Sequence, residues 1–140
     1  SMEKMLDQLD DTHKNELILL GLVHRDFKPW NINDESRLLI YDFEEAVIGG
    51  PPLEDLFNYH IDPILRYLTP SKVTGEIFKI KNVKEYKRYL ENLEINLNFE
   101  VLLYCFLMER AVFWMDANEK EASARYCDLF EYIVIECKEK

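Results

Sequence analysis

Glycine is scarce in this sequence. It occurs 4 times in 140 residues, and Gly21 is the only one before Gly49. The opening stretch therefore holds no glycine-rich loop of the kind that cradles a phosphate with backbone N–H groups. Cysteine is equally thin. Cys105, Cys127 and Cys137 are odd in number and lack Cys-x-x-Cys spacing, which argues for reduced thiols in a cytoplasm over a disulfide framework or a zinc site. Basic charge is in deficit. With 27 acidic against 17 basic residues the net charge is −10, the wrong sign for a protein that grips a nucleic-acid backbone. Long apolar runs are missing too: Val101–Met108 and Tyr132–Ile135 fall well short of the ~20 residues of a membrane helix. Glu3, Lys4, Asp7, Asp10 and Asp11 interrupt the start, so no signal peptide is expected there. A cytoplasmic protein with neither a membrane nor a nucleic-acid partner is the expectation.

What is present suits one globular domain: 48% apolar and 31% charged residues, in a chain long enough to bury a core. Met2, Met5, Leu6 and Leu9 recur at helical spacing, and Leu17–Val23 is an apolar run compatible with a strand or a helix end. Asn33-Asp34-Glu35-Ser36 reads as a hairpin turn between Trp30–Ile32 and Leu38–Phe43. Gly49-Gly50-Pro51-Pro52 reads as a breaker that ends the stretch begun at Asp42. Helices are expected over Leu53–Tyr67, Ser71–Phe78, Val83–Leu93, Phe99–Met115 and Glu119–Glu136. The fold class is α+β, mainly α: a short β-hairpin followed by a helical bundle. Phe99, Leu102, Leu103, Phe106, Leu107, Arg110, Phe113 and Trp114 repeat at three and four, as do Tyr126, Leu129, Phe130 and Ile133. Both stripes read as core, with Arg110 at an edge. His13 and His60 lack neighbours at metal-ligand spacing.

The segment with chemistry in it is His24-Arg25-Asp26-Phe27-Lys28-Pro29-Trp30-Asn31. It matches H-R-D-x-x-x-x-N, the catalytic-loop pattern of protein kinases. A hydroxyl attacking a γ-phosphate needs an oriented base, the role for Asp26. Lys28 would neutralise charge on the transferring group. Asn31, beyond a turn stiffened by Pro29, would reach a metal that bridges the phosphates. Eleven residues further on, Ile40-Tyr41-Asp42-Phe43 is an apolar strand with Asp42 at its mouth. Magnesium takes only one or two protein carboxylates and completes its octahedron with phosphate oxygens and water, so Asn31 and Asp42 suffice as its ligands. His24 is expected to brace the loop, not to react.

The chain beyond Asp42 points away from protein kinases. Those enzymes carry a long activation segment ending in Ala-Pro-Glu; here only residues 43–54 separate Asp42 from Asp55, and no such motif appears. The stretch Asp42-Phe43-Glu44-Glu45-Ala46 through Gly50-Pro51-Pro52-Leu53-Glu54-Asp55-Leu56 resembles the aminoglycoside phosphotransferase and choline kinase superfamily, with its I-D-[FW]-E-x-A strand end and G-x-P-x-x-D-L helix start. That superfamily more often has H-G-D in the loop, so Arg25 and Lys28 depart toward the protein-kinase form, while Pro29-Trp30-Asn31 is similar to a bacterial subgroup. The likeness covers Leu22 to about Tyr59. It implies the C-terminal lobe of a protein-kinase-like fold, with ATP and magnesium as cofactors and a small sugar, amino sugar or amino alcohol as hydroxyl acceptor. It also implies that Asp55 braces the catalytic loop. Glu44 and Glu45 read as a solvated pair.

The family's nucleotide clamp has no counterpart in the 23 residues before His24, which carry neither a glycine-rich hairpin nor a Val-Ala-Ile-Lys-like strand. A C-lobe piece of a longer protein is favoured over a short gene product. Its partners would be the N-terminal lobe of the same protein and, through apolar surface that lobe leaves open, a second copy of the chain. The alternative is a non-catalytic, kinase-derived binding or scaffold module.

Overall fold

The computed structural model describes residues 20–92 and 99–138; the helix expected over Met2–Leu9 lies outside them. The described chain is mainly helical, with two small antiparallel sheets at its start. β1 (Gly21–Val23) enters the site. A 3-10 turn (Pro29–Asn31) leads to β2 (Ile32–Asn33), β3 (Leu39–Ile40) and β4 (Val47–Gly50). Five helices come next: α1 (Glu54–Leu65), α2 (Pro70–Lys81), α3 (Lys84–Asn92), α4 (Phe99–Asp116) and α5 (Lys120–Lys138). All five stand within a few residues of their expected bounds.

β2 and β3 form the expected hairpin, with Ile32 opposite Ile40 and Asn33 opposite Leu39. The Asn33 side-chain oxygen accepts the Glu35 N–H at 3.0 Å, an Asx turn that starts the reversal. The glycine pair is a departure from expectation. Gly49 and Gly50 are not a break but the end of β4, which pairs with β1 in the register Val23↔Val47, Leu22↔Ile48 and Gly21↔Gly50. Glycine is required at position 50 because a Cβ there would lie 2.0 Å from Val23 Cγ2 and 2.8 Å from Glu54 Oε2. Pro51 and Pro52, which cannot continue a ladder, end the strand.

The core is a helix-on-helix layer. α4 is apolar nearly all round, so it must be enclosed rather than lie on a surface; Phe99, Leu102, Leu103, Phe106, Leu107 and Ala111 are all buried. α5 lies along it, contributing Tyr126, Leu129, Phe130, Ile133 and Val134. α1 supplies Phe57, Ile61 and Leu65, and α2 supplies Val73 and Ile77. Aromatic rings knit these elements at centroid separations of 5.4 Å for Phe57–Phe106 and 5.3 Å for Tyr104–Phe130. At roughly 1.5–3 kcal/mol for each fully buried large side chain, this cluster dominates folding. Arg110 is buried at 4% exposure, not at an edge, its guanidinium packed 4.5 Å from the Phe113 ring centroid and 5.3 Å from that of Trp114. α3 has no buried residue, as its lysine-rich sequence implies. Among the described residues no helix is long and apolar enough to cross a membrane.

Candidate active site

The loop from His24 to Asn31 is fastened to α1 through its own backbone. Asp55, in the first turn of α1, accepts the His24 N–H on both oxygens (2.9 and 2.8 Å) and the Arg25 N–H on Oδ1 (2.9 Å). One turn on, the Asn58 side-chain amide donates to the Arg25 carbonyl at 2.7 Å. Two turns on, Asp62 Oδ2 lies 3.0 Å from Lys28 Nζ. The three residues share a face because 55, 58 and 62 are three and four apart. This polar stripe on a helix otherwise packed into the core is the signal that sequence reading passed over for Asn58 and Asp62.

The clamp holds an unfavourable backbone. Arg25 has φ 66° and Asp42 has φ 64°, left-handed conformations that cost a non-glycine residue about 1 kcal/mol or more and that concentrate at functional sites. The Arg25 side chain is tied at its far end, Nε lying 3.3 Å from Glu54 Oε1 and the guanidinium also paired with Glu109.

Within the loop, three of the four expected site residues converge. Asp26 Oδ1 lies 2.5 Å from Lys28 Nζ, and the Asn31 side-chain amide donates to Asp26 Oδ2 at 2.8 Å and to its carbonyl at 2.9 Å. Burial works to raise the Asp26 pKa, but the hydrogen bonds from Lys28 and Asn31 and the charges of Lys28 and Arg110 outweigh it. The carboxyl sits below its ordinary value and is ionised at neutral pH. Lys28 and Asn31 are both buried at 8% exposure, so neither is a loosely solvated side chain. Asp62 is itself anchored by the Tyr126 hydroxyl of α5, which burial, with the nearby Asp62 charge, keeps protonated as a donor.

Asp42 stands apart. β3 ends at Ile40, so Asp42 lies two residues beyond the strand and is exposed. Its neighbour links it to the loop: the Tyr41 N–H donates to the Asn31 carbonyl at 2.9 Å, and the Tyr41 carbonyl lies 2.7 Å from His24 Nε2. That contact assigns the ring proton to Nε2. The ring of His24 packs against Phe43 at 4.4 Å between centroids, so His24 braces the segments on both sides of the site. Glu44 and Glu45 are exposed. No family model, curated protein or solved structure matches the chain.

Hard oxygens are what the set offers a cation. With its amide nitrogen spent on Asp26, Asn31 leaves its side-chain oxygen, and Asp42 offers a carboxylate. Among the described residues no three His, Cys, Asp or Glu side chains gather as a metal cluster. A cation held here would need oxygens from a ligand to complete its shell, which suits magnesium carried on phosphates.

Proposed function

We propose that this chain is the catalytic-loop lobe of an ATP-dependent phosphotransferase, a small-molecule kinase of protein-kinase-like fold whose acceptor is a hydroxyl of a small molecule. The observation that carries the reading is Asp26. It is an ionised carboxylate on a strained, clamped loop, ordered by Lys28 and Asn31 and next in space to the segment that bears Asp42. In this reading Asp26 accepts a hydrogen bond from the acceptor hydroxyl, orients its oxygen for attack and takes its proton. Lys28, shared between Asp26 and Asp62, turns its charge toward the transferring phosphoryl group. Asn31 and Asp42 would hold magnesium, which when bound neutralises phosphate charge. The nucleotide clamp belongs to an N-terminal lobe of the same protein.

The test is phosphoryl transfer from ATP to a panel of sugars, amino sugars and amino alcohols by the protein carrying its N-terminal lobe. Asp26→Asn keeps the shape and removes the base, so turnover is expected to fall by about 100-fold or more while the chain still folds, read as a cooperative melt with wild-type circular dichroism. Turnover equal to wild type in that variant refutes the assignment. Tight Mg-ATP binding by this chain alone, read by calorimetry, would refute the need for a second lobe.

A further inference from the structure

Trp30 stands beside the candidate site and takes no part in the chemistry proposed for it. Its neighbours are held inward, Lys28 and Asn31 both at 8% exposure. Pro29 opens the 3-10 turn between them and fixes its backbone. Trp30 points the other way and is 65% exposed. An indole is a large apolar surface that is highly buried on average, and tryptophan is enriched where a binding partner covers it.

Distance ties the ring to the site. Lys28 Nζ lies 5.7 Å from the Trp30 ring centroid and 2.5 Å from Asp26 Oδ1, so the indole centre stands no more than about 8 Å from the carboxylate. A small ring stacked on the indole therefore presents its rim to Asp26 and Lys28. An electron-rich face beside a carboxylate and an ammonium selects a guest with one apolar face and hydroxyls around its edge. A pyranose has both. Its C–H bonds carry the slight positive charge that the negative face of an aromatic ring attracts, and its hydroxyls donate to a carboxylate or accept from an ammonium. An open-chain alcohol offers the hydroxyl without the face, and a nucleobase offers the face without the hydroxyls.

We propose that Trp30 is the acceptor platform of this site, a specificity-determining residue that stacks the C–H face of a pyranose and sets one of its hydroxyls at Asp26. That hydroxyl oxygen forms the new bond to the γ-phosphorus of ATP as the bond to the bridging oxygen breaks. Its proton goes to Asp26, and ADP leaves. The platform rests on the proposed function for its guest to be an acceptor, and it narrows that function from small alcohols in general to ring-shaped ones.

The experiment titrates the full chain with methyl β-D-glucopyranoside, methyl β-D-galactopyranoside, glucosamine, glycerol, ethanolamine and Mg-ATP. NMR follows the backbone amides and the indole N–H signals of Trp30 and Trp114, which Trp30→Phe assigns by removing one. Expected is saturable binding of at least one of the pyranoses that moves the Trp30 indole signal and the Phe27, Lys28 and Asn31 amides, about tenfold tighter than glycerol or ethanolamine. Trp30→Ala is expected to abolish that preference and Trp30→Phe to keep most of it, whereas a merely structural role would weaken all the alcohols alike. In the protein carrying its N-terminal lobe, Trp30→Ala is expected to lower kcat/KM for the pyranose about tenfold relative to glycerol. Binding as expected with no transfer to any acceptor would support the platform and refute the phosphotransferase reading. No saturable pyranose binding, shifts centred on Trp114, a pyranose preference that survives Trp30→Ala, or a Trp30 signal moved by Mg-ATP and by no sugar would each overturn the proposal.

Discussion

Replacing Asp55 with alanine should loosen the His24–Asn31 loop and cost measurable stability. The side chain accepts two backbone N–H groups, from His24 and Arg25, at 2.8–2.9 Å. Hydrogen bonds to a charged group contribute about 1.5–3 kcal/mol each. Asp55 is partly exposed, so the lower end applies, and two donors give about 3 kcal/mol. A carboxylate in the first turn of a helix adds a few tenths of a kcal/mol through the helix dipole. For a chain of this size the loss corresponds to a fall in Tm of about 10 °C. Asp55→Asn keeps one acceptor oxygen but sets an amide N–H₂ against the His24 N–H, so its loss should lie between that of wild type and alanine. Urea denaturation followed by circular dichroism reads the stability. Amide exchange reads the cause, because the Arg25 N–H at φ 66° loses its acceptor and only the Asn58, Glu54 and Glu109 contacts remain to hold the residue left-handed. A change in stability below about 0.5 kcal/mol, the range of an ordinary surface substitution, or unaltered exchange at Arg25, would refute the clamp.

Gly50→Ala places a Cβ 2.0 Å from Val23 Cγ2 and should destabilise by about 1–3 kcal/mol through overpacking; Gly50→Ala with Val23→Ala should recover part of that in the same urea melt. Lys28→Met should raise the Asp26 pKa from its lowered position, since burial raises it and Lys28 is the chief opposing influence; carbon-detected NMR titration of the Asp26 carboxyl reads the direction. In wild type the lowered value means that Asp26 contributes stability above pH 3.8 and loses it as pH falls through the folded-state pKa. In Lys28→Met that acid-sensitive contribution should shrink, because the chief influence lowering the folded-state pKa is gone. Tyr126→Phe removes the hydroxyl that anchors Asp62 and should cost about 1–3 kcal/mol; an undiminished Tm would show that Lys28 alone suffices to hold Asp62.

Local pattern made much of this protein legible in its sequence. The helices of the bundle follow from three- and four-residue apolar spacing, because a helix that buries one face has no other way to write it. The stripe on α4 is buried at Phe99, Leu102, Leu103, Phe106 and Leu107. The convergence within the His24–Asn31 loop is legible in sequence because spacing along a short, proline-stiffened segment limits where its side chains can go. Asp26, Lys28 and Asn31 do meet. Tertiary structure decided what depends on distant partners. Gly49-Gly50 has the composition of a turn and becomes strand only because β1 arrives beside it and Val23 leaves no room for a side chain. Arg110 reads as an edge residue in sequence, yet its flat guanidinium is buried against Phe113 and Trp114. Asp62 and Tyr126, 64 positions apart, carry no shared local signal; packing α5 against the bundle is what turns them into the support for Lys28. Sequence determined which residues could do chemistry, since that is a property of side chains and short spacings. The fold determined which of them are held, buried and charged, since hydrogen bonds and desolvation depend on whatever the chain brings back from elsewhere.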